Sequence, residues 1–213
     1  MPENEFEPEK RPPQASAVFG ERTDLAEKYA ELLVRDGDLL GLIGPRELPK
    51  LWSRHILNSA VVGELVKPGQ TVADVGSGAG FPGIPMAIKC PEVQFTLIEP
   101  MERRATWLAE TVVPTLGLTN VKVFRARAEE ALFEAYDIVT ARAVSALPQL
   151  LKMLVPLTKN GGEILALKGS KAADEIKDSK NLIKKLKIKD FEILTAGADL
   201  LPDPTTVVRI TLL

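Results

Sequence analysis

The chain has 213 residues, 45% of them hydrophobic and 26% charged, with a formal net charge of −2. That length holds one α/β domain with an accessory segment, or two small domains. The near balance of charge excludes a protein that coats nucleic acid non-specifically, though not a local basic face. One cysteine, Cys90, excludes a disulfide framework and fits a reducing compartment; no apolar run approaches the ~18 residues of a membrane span.

Residues 1–15 are rich in proline and glutamate and read as a disordered tail, with no apolar core for a signal peptide. Phe19, Leu25, Tyr29, Leu32 and Leu33 then recur at helical spacing, which predicts an amphipathic helix over 23–36 with Thr23 or Asp24 near its N-cap. Glycines and Pro45 break it, and a second helix fits 48–66, ended by Lys67-Pro68-Gly69. Both lie before the first strand, so residues 16–68 read as a helical cap and 69–213 as a ligand-binding core within one domain.

The stretch TVADVGSGAGFPGI, residues 71–84, passes from a short apolar run through Gly76, Gly78 and Gly80 into a second apolar run. Strand, glycine turn, helix is the order expected where backbone approaches a nucleotide-like ligand. The spacing is G-x-G-x-G, not the dinucleotide G-x-G-x-x-G; the same pattern also serves a plain tight connection. Phe95-Thr96-Leu97-Ile98 reads as a second strand ending at Glu99, where a ribose hydroxyl pair would be held. Cys90 lies before Pro91 and reads as packing.

Further on, a helix over 103–113, strands over 121–124 and 136–141, a helix over 147–157 stopped by Asn160-Gly161-Gly162, and a strand over 163–167 are expected. A basic helix over 174–187 and two close strands, 191–195 and 205–212, complete the chain. Alternation implies a parallel, Rossmann-like sheet with helices on both faces, and the final pair an antiparallel hairpin at one edge. Ligands of such sheets sit at the strand carboxyl ends. Gly76–Gly80, Glu99, Ala128-Glu129, Arg142 and Lys168-Gly169 all fall there. His55, the one histidine, reads either as a half-packed helix residue or as a polar contact aimed at the site. Eight lysines between 168 and 189 read either as a solvated face or as phosphate contacts.

VADVGSGAGFPGIPMAI, FTLIEPMERRATWL, RAEE, YDIVTARAVSAL and ILALKG, preceded by LWSRHILNS, resemble the ribosomal RNA small subunit methyltransferase G family. It is also called glucose-inhibited division protein B and belongs to the class I S-adenosylmethionine-dependent methyltransferases. The resemblance implies a seven-stranded, mostly parallel sheet with an antiparallel terminal hairpin. It implies methyl transfer from S-adenosylmethionine to N7 of a guanine, position 527, in the decoding-region loop of 16S rRNA. The substrate would be met within the small ribosomal subunit or an assembly intermediate, by a cytoplasmic monomer without a metal. Gly76, Gly78 and Gly80 would cradle the methionine part, Phe81 would close the loop, Glu99 would hold the ribose, and Ala128 and Glu129 would face the adenine. Arg142 would lie near the ligand carboxylate and the target base, and Lys168 would share its positioning role. Arg54, His55, Lys168 and Lys171 would form the RNA-facing rim. Guanine N7 has a free lone pair, so no general base is expected. A class I methyltransferase acting on a small molecule or protein is the alternative.

Overall fold

An interior strand of the sheet, β1 (Thr71–Val75), is buried along almost its whole length, as expected of a parallel strand covered on both faces. In the computed structural model, which describes residues 6–131, 134–142 and 145–213, it pairs in parallel with β2 (Gln94–Ile98) and β4 (Tyr136–Arg142). β3 (Val121–Phe124) extends β2, and β5 (Thr158–Leu167) extends β4, again in parallel. β7 (Thr205–Leu212) lies antiparallel between β5 and β6 (Ile188–Ala196), giving the order β3-β2-β1-β4-β5-β7-β6. The expected hairpin is therefore present, but only β6 forms the edge.

Alternation along the strands divides the core in two. Val72, Leu97 and Ile138 face one side with the cap residues Tyr29, Leu33, Trp52 and Ile56. Ala73, Val75, Val139 and Ala166 face the other, against Leu147, Leu150, Leu151 and Leu154. The cap thus buries its apolar stripe directly on the sheet. It comprises α1 (Gln14–Phe19), α2 (Thr23–Asp36) and a helical stretch over 51–65, named α3. Beyond β1 come α4 (Gly83–Lys89), α5 over 102–116, α6 (Leu147–Leu154) and α7 (Ala172–Ser179).

Several boundaries differ from expectation for local reasons. α2 itself keeps the expected bounds, with Thr23 its first residue beside the N-cap position and its hydroxyl donating to Gly20 O at 2.6 Å. The helix expected from Leu48 starts at Leu51, because Pro49 sits in a preceding tight turn, Pro45–Lys50. Asn160-Gly161-Gly162 does not stop a helix. It lies within β5, where pairing jumps from Tyr136↔Thr158 to Ile138↔Glu163 and Gly161 adopts φ 71°. The basic helix ends at Ser179, whose hydroxyl donates back to Glu175 O at 2.8 Å, and Lys187 turns the chain into β6 with φ 53°.

Residues 6–15 are tied to the cap and do not hang free. The Glu9 carboxylate accepts the backbone N–H groups of Trp52 and Ser53 at 2.8 and 2.9 Å, at the start of α3, and Ala15 is fully buried. Residues 1–5 of the expected tail lie outside the described residues. Among the described residues, no helix is long and apolar enough to cross a membrane.

Candidate active site at the strand ends

The loop after β1 turns through Gly76, Gly78 and Gly80, all at positive φ. At Gly80 the requirement is double: φ is 100°, and a Cβ would stand 2.6 Å from Ile84 Cγ1 and 3.1 Å from Tyr29 Oη. Tyr29 donates to Ala79 O at 2.6 Å, so the cap grips the loop from behind. Gly83 opens α4 against β1 and β2; a Cβ there would meet Leu97 Cδ2 at 2.3 Å and Asp74 Oδ2 at 2.7 Å.

Two buried carboxylates flank this loop. Glu99, 2% exposed, accepts Gly78 N–H at 2.8 Å through Oε2 and Met101 N–H at 2.9 Å through Oε1. Each oxygen keeps a second lone pair for a ligand hydroxyl. Asp74 is fully buried; its Oδ2 accepts Gly83 N–H at 2.9 Å and its Oδ1 has no partner. Burial pushes the Asp74 carboxyl up to about 7, with nearby Glu99 adding to the rise and the Gly83 hydrogen bond opposing it. An orphaned carboxylate oxygen suits a cationic donor, and Glu99 suits a pair of hydroxyls. Together with the glycine loop, they fit the ammonium and ribose of S-adenosylmethionine. The sequence signal for Asp74 was an acid inside an apolar strand.

Ala128 is buried and Glu129 exposed in the single turn Ala128–Glu130 that follows β3. Beside it, a crevice of about 380 Å³ is lined by Pro100, Met101, Arg125, Ala126, Arg127 and Glu130. Glu130 reaches back to Arg127 N–H at 3.2 Å, as a turn-starting residue does.

Arg142 ends β4 and crosses to the cap. Its Nη1 donates to His55 O at 3.3 Å and Ser59 Oγ at 3.1 Å; its Nη2 donates to Arg54 O at 2.8 Å and His55 Nδ1 at 3.1 Å. Over Leu51–Leu57 the helix is wound at the wider π pitch, a form frequent at functional sites, and two of its carbonyls accept the guanidinium. Four bonds therefore engage the terminal nitrogens of a group with five N–H donors. Phe81, expected over the ligand, is instead packed inward. It lies edge-on to Tyr29 at 5.8 Å, near His55 at 5.4 Å, and under the Arg142 guanidinium at 5.5 Å.

Arg142 also borders a second, larger crevice of about 750 Å³ with Arg54, Asn58, Ser145, Lys168 and Thr206. Lys168 does not project from its rim. Its Nζ donates to Ser145 O at 2.6 Å and pairs with Glu175 at 2.8 Å, with its side chain 9% exposed. The same Glu175 oxygen accepts Leu147 N–H at 2.7 Å, at the start of α6. Lys171, by contrast, is exposed, as is Arg54, 3.5 Å from Glu47. Ala143 and Val144 lie outside the described residues. Glu47, Ser59 and Glu175 had no sequence signal, since each is recognisable only from its distant partner. Among the described residues, no group of three or more His, Cys, Asp or Glu side chains could hold a metal ion.

The family described as rRNA small subunit methyltransferase G matches residues 22–201. The chain is 53% identical over 197 residues to ribosomal RNA small subunit methyltransferase G of an Arthrobacter species, spanning 92% of this chain and 91% of the relative. To the Rhodococcus jostii protein of the same name it is 51% identical over 212 residues, covering 97% of this chain and 92% of that one. Among solved structures it is similar in fold to M. jannaschii TYW2 in complex with AdoMet, with a TM-score of 0.58, 21% identity and 76% of each chain covered. It also resembles a SAM-dependent O-methyltransferase of Thermotoga maritima, with a TM-score of 0.54 and 16% identity, covering 79% of this chain and 70% of that one.

Proposed function

The chain belongs to the rRNA small subunit methyltransferase G family, and we propose that it transfers a methyl group from S-adenosylmethionine to N7 of guanine 527 in 16S rRNA. The observation that carries the cofactor half of this reading is the pairing of buried Glu99 with the amide of Gly78, beside the unpartnered oxygen of Asp74. Bound there, S-adenosylmethionine supplies a methyl group activated by its sulfonium charge.

The chain's own residues then have four tasks. Glu99 takes the ribose hydroxyls on its remaining lone pairs, and Asp74 takes the ammonium, which restores the ionised form that burial disfavours. The glycine loop lets backbone approach without a Cβ between. Arg142 clamps the cap to the end of β4 and sets the wall between the cofactor loop and the larger crevice, which receives the target nucleotide. No residue needs to remove a proton, because the N7 lone pair attacks directly; the rate comes from alignment in a fixed, partly dehydrated site. Exposed Arg54 and Lys171 contact the rRNA on the rim, where neutralised phosphates make binding salt-dependent. The working form is a monomer acting in the cytoplasm on the small subunit or its assembly intermediate.

Glu99→Gln keeps the side chain's size but replaces one acceptor with a donor facing a backbone N–H. S-adenosylmethionine affinity measured by calorimetry should fall at least tenfold, about 1.4 kcal/mol. Transfer to small subunits at subsaturating methyl donor should fall with it. Unchanged affinity would refute this placement of the ribose.

A further inference from the structure

Arg142 can only donate hydrogen bonds, and its Nη2 stands 3.1 Å from His55 Nδ1. Nδ1 must therefore present its lone pair, and the imidazole proton sits on Nε2. Nε2 is 2.7 Å from Glu47 Oε2, an acceptor when ionised. The two partners, one from the turn before α3 and one from the end of β4, dictate the same tautomer. Glu47 is anchored in turn by Arg54 at 3.5 Å. His55 is the single histidine of the chain, so the relay rests on one imidazole.

Resting on the reading of Arg142 as the clamp beside the methyl-transfer site, we propose that Glu47 is a positioning residue: it fixes the neutral Nε2–H form of His55, and His55 thereby fixes Arg142. A protonated His55 would turn an N–H toward the Arg142 N–H and break the bond that a neutral ring makes. A ring freed from Glu47 could carry its proton on Nδ1 with the same result. The charged groups facing His55 are Glu47, Arg54 and Arg142; Phe81 supplies the apolar side. Burial, Arg142 and Arg54 hold its pKa below 6.5, against the pull of Glu47. A depressed histidine pKa means that the neutral network is intact above 6.5 and is lost as pH falls through the lowered value.

Because there is one histidine, its ring resonances in nuclear magnetic resonance need no assignment. The wild type should show the Nε2–H tautomer and a midpoint below 6.5. Glu47→Gln, which keeps an acceptor but removes the charge, should move the midpoint further down, and Arg142→Met should move it up. The acid limb of kcat/KM for methyl transfer should track the histidine midpoint and shift to lower pH in Glu47→Gln. Glu47→Leu should lower kcat at neutral pH by at least about tenfold while KM for the methyl donor stays within twofold, as expected of a misplaced clamp. A purely structural Glu47 would lower stability and leave midpoint and limb in place; that result, or a proton found on Nδ1, overturns the proposal. A wild type that transfers no methyl to rRNA overturns the functional reading instead, and the tautomer and midpoints still decide the relay.

Discussion

Asp74 is an acid set among Val72, Ala73 and Val75, and its unpartnered Oδ1 is costly to ionise without a cation. Its carboxyl is raised from 3.8 to about 7. A raised carboxyl pKa contributes stability that is present below the unfolded value and lost as pH rises through the folded one. The ligand-free protein should thus lose on the order of 2–3 kcal/mol from this group between pH 5 and pH 8. Asp74→Asn, neutral throughout, should melt at a higher temperature than the wild type at pH 8, with a smaller difference at pH 5. It should also bind S-adenosylmethionine more weakly. A melting difference independent of pH would show that Asp74 is not the source of this strain. Asp74, passed over within what read as an apolar run, carried a local signal that could have found it, whereas Glu47 did not: its meaning depends on His55 and on Arg142, 87 positions beyond His55.

At the level of elements, the strand-to-helix junctions decide what each charged residue can do. Glycine turns, apolar runs and helix periods are local, so the order of strands and the placing of Gly76, Glu99 and Arg142 at one end of the sheet could be read from sequence. Which side chain faces solvent could not. Lys168 was expected on the rim, yet Glu175 and Ser145 O hold it, making it a joint between β5, α7 and the segment before α6. Of the eight lysines from 168 to 189, the other seven are exposed. Removing Lys168 from this partly buried pair leaves Glu175 with solvent and the Leu147 N–H, so Lys168→Ala should cost about 1–2 kcal/mol of stability. The salt slope of rRNA binding should stay unchanged, because no phosphate contact is lost. A double substitution of Lys184 and Lys185, both exposed, should reduce that slope, by up to about one for each phosphate contact. Equilibrium unfolding and binding across a salt series check both; a slope reduced in Lys168→Ala would return that lysine to the RNA.

Across the whole molecule, the cap and the sheet act as one body because they share one apolar cluster, from Tyr29 and Trp52 to Val72 and Leu97. Residues 6–15 strengthen that union through Glu9 and Ala15, which composition alone did not disclose: proline and glutamate describe a segment that cannot build its own core, not one that cannot dock on another. In the proposed reading the glycine loop and Glu99 form the cofactor side, the Arg54–Lys168 crevice the substrate side, and Arg142 the wall between them. The most direct test is transfer of labelled methyl from S-adenosylmethionine to small ribosomal subunits lacking the modification, with the label mapped by strand cleavage at N7-methylguanine. The expected result is one labelled guanine, at position 527 of the decoding-region loop. Label on another base or another atom, or tight S-adenosylmethionine binding without transfer to subunits or free rRNA, would contradict it.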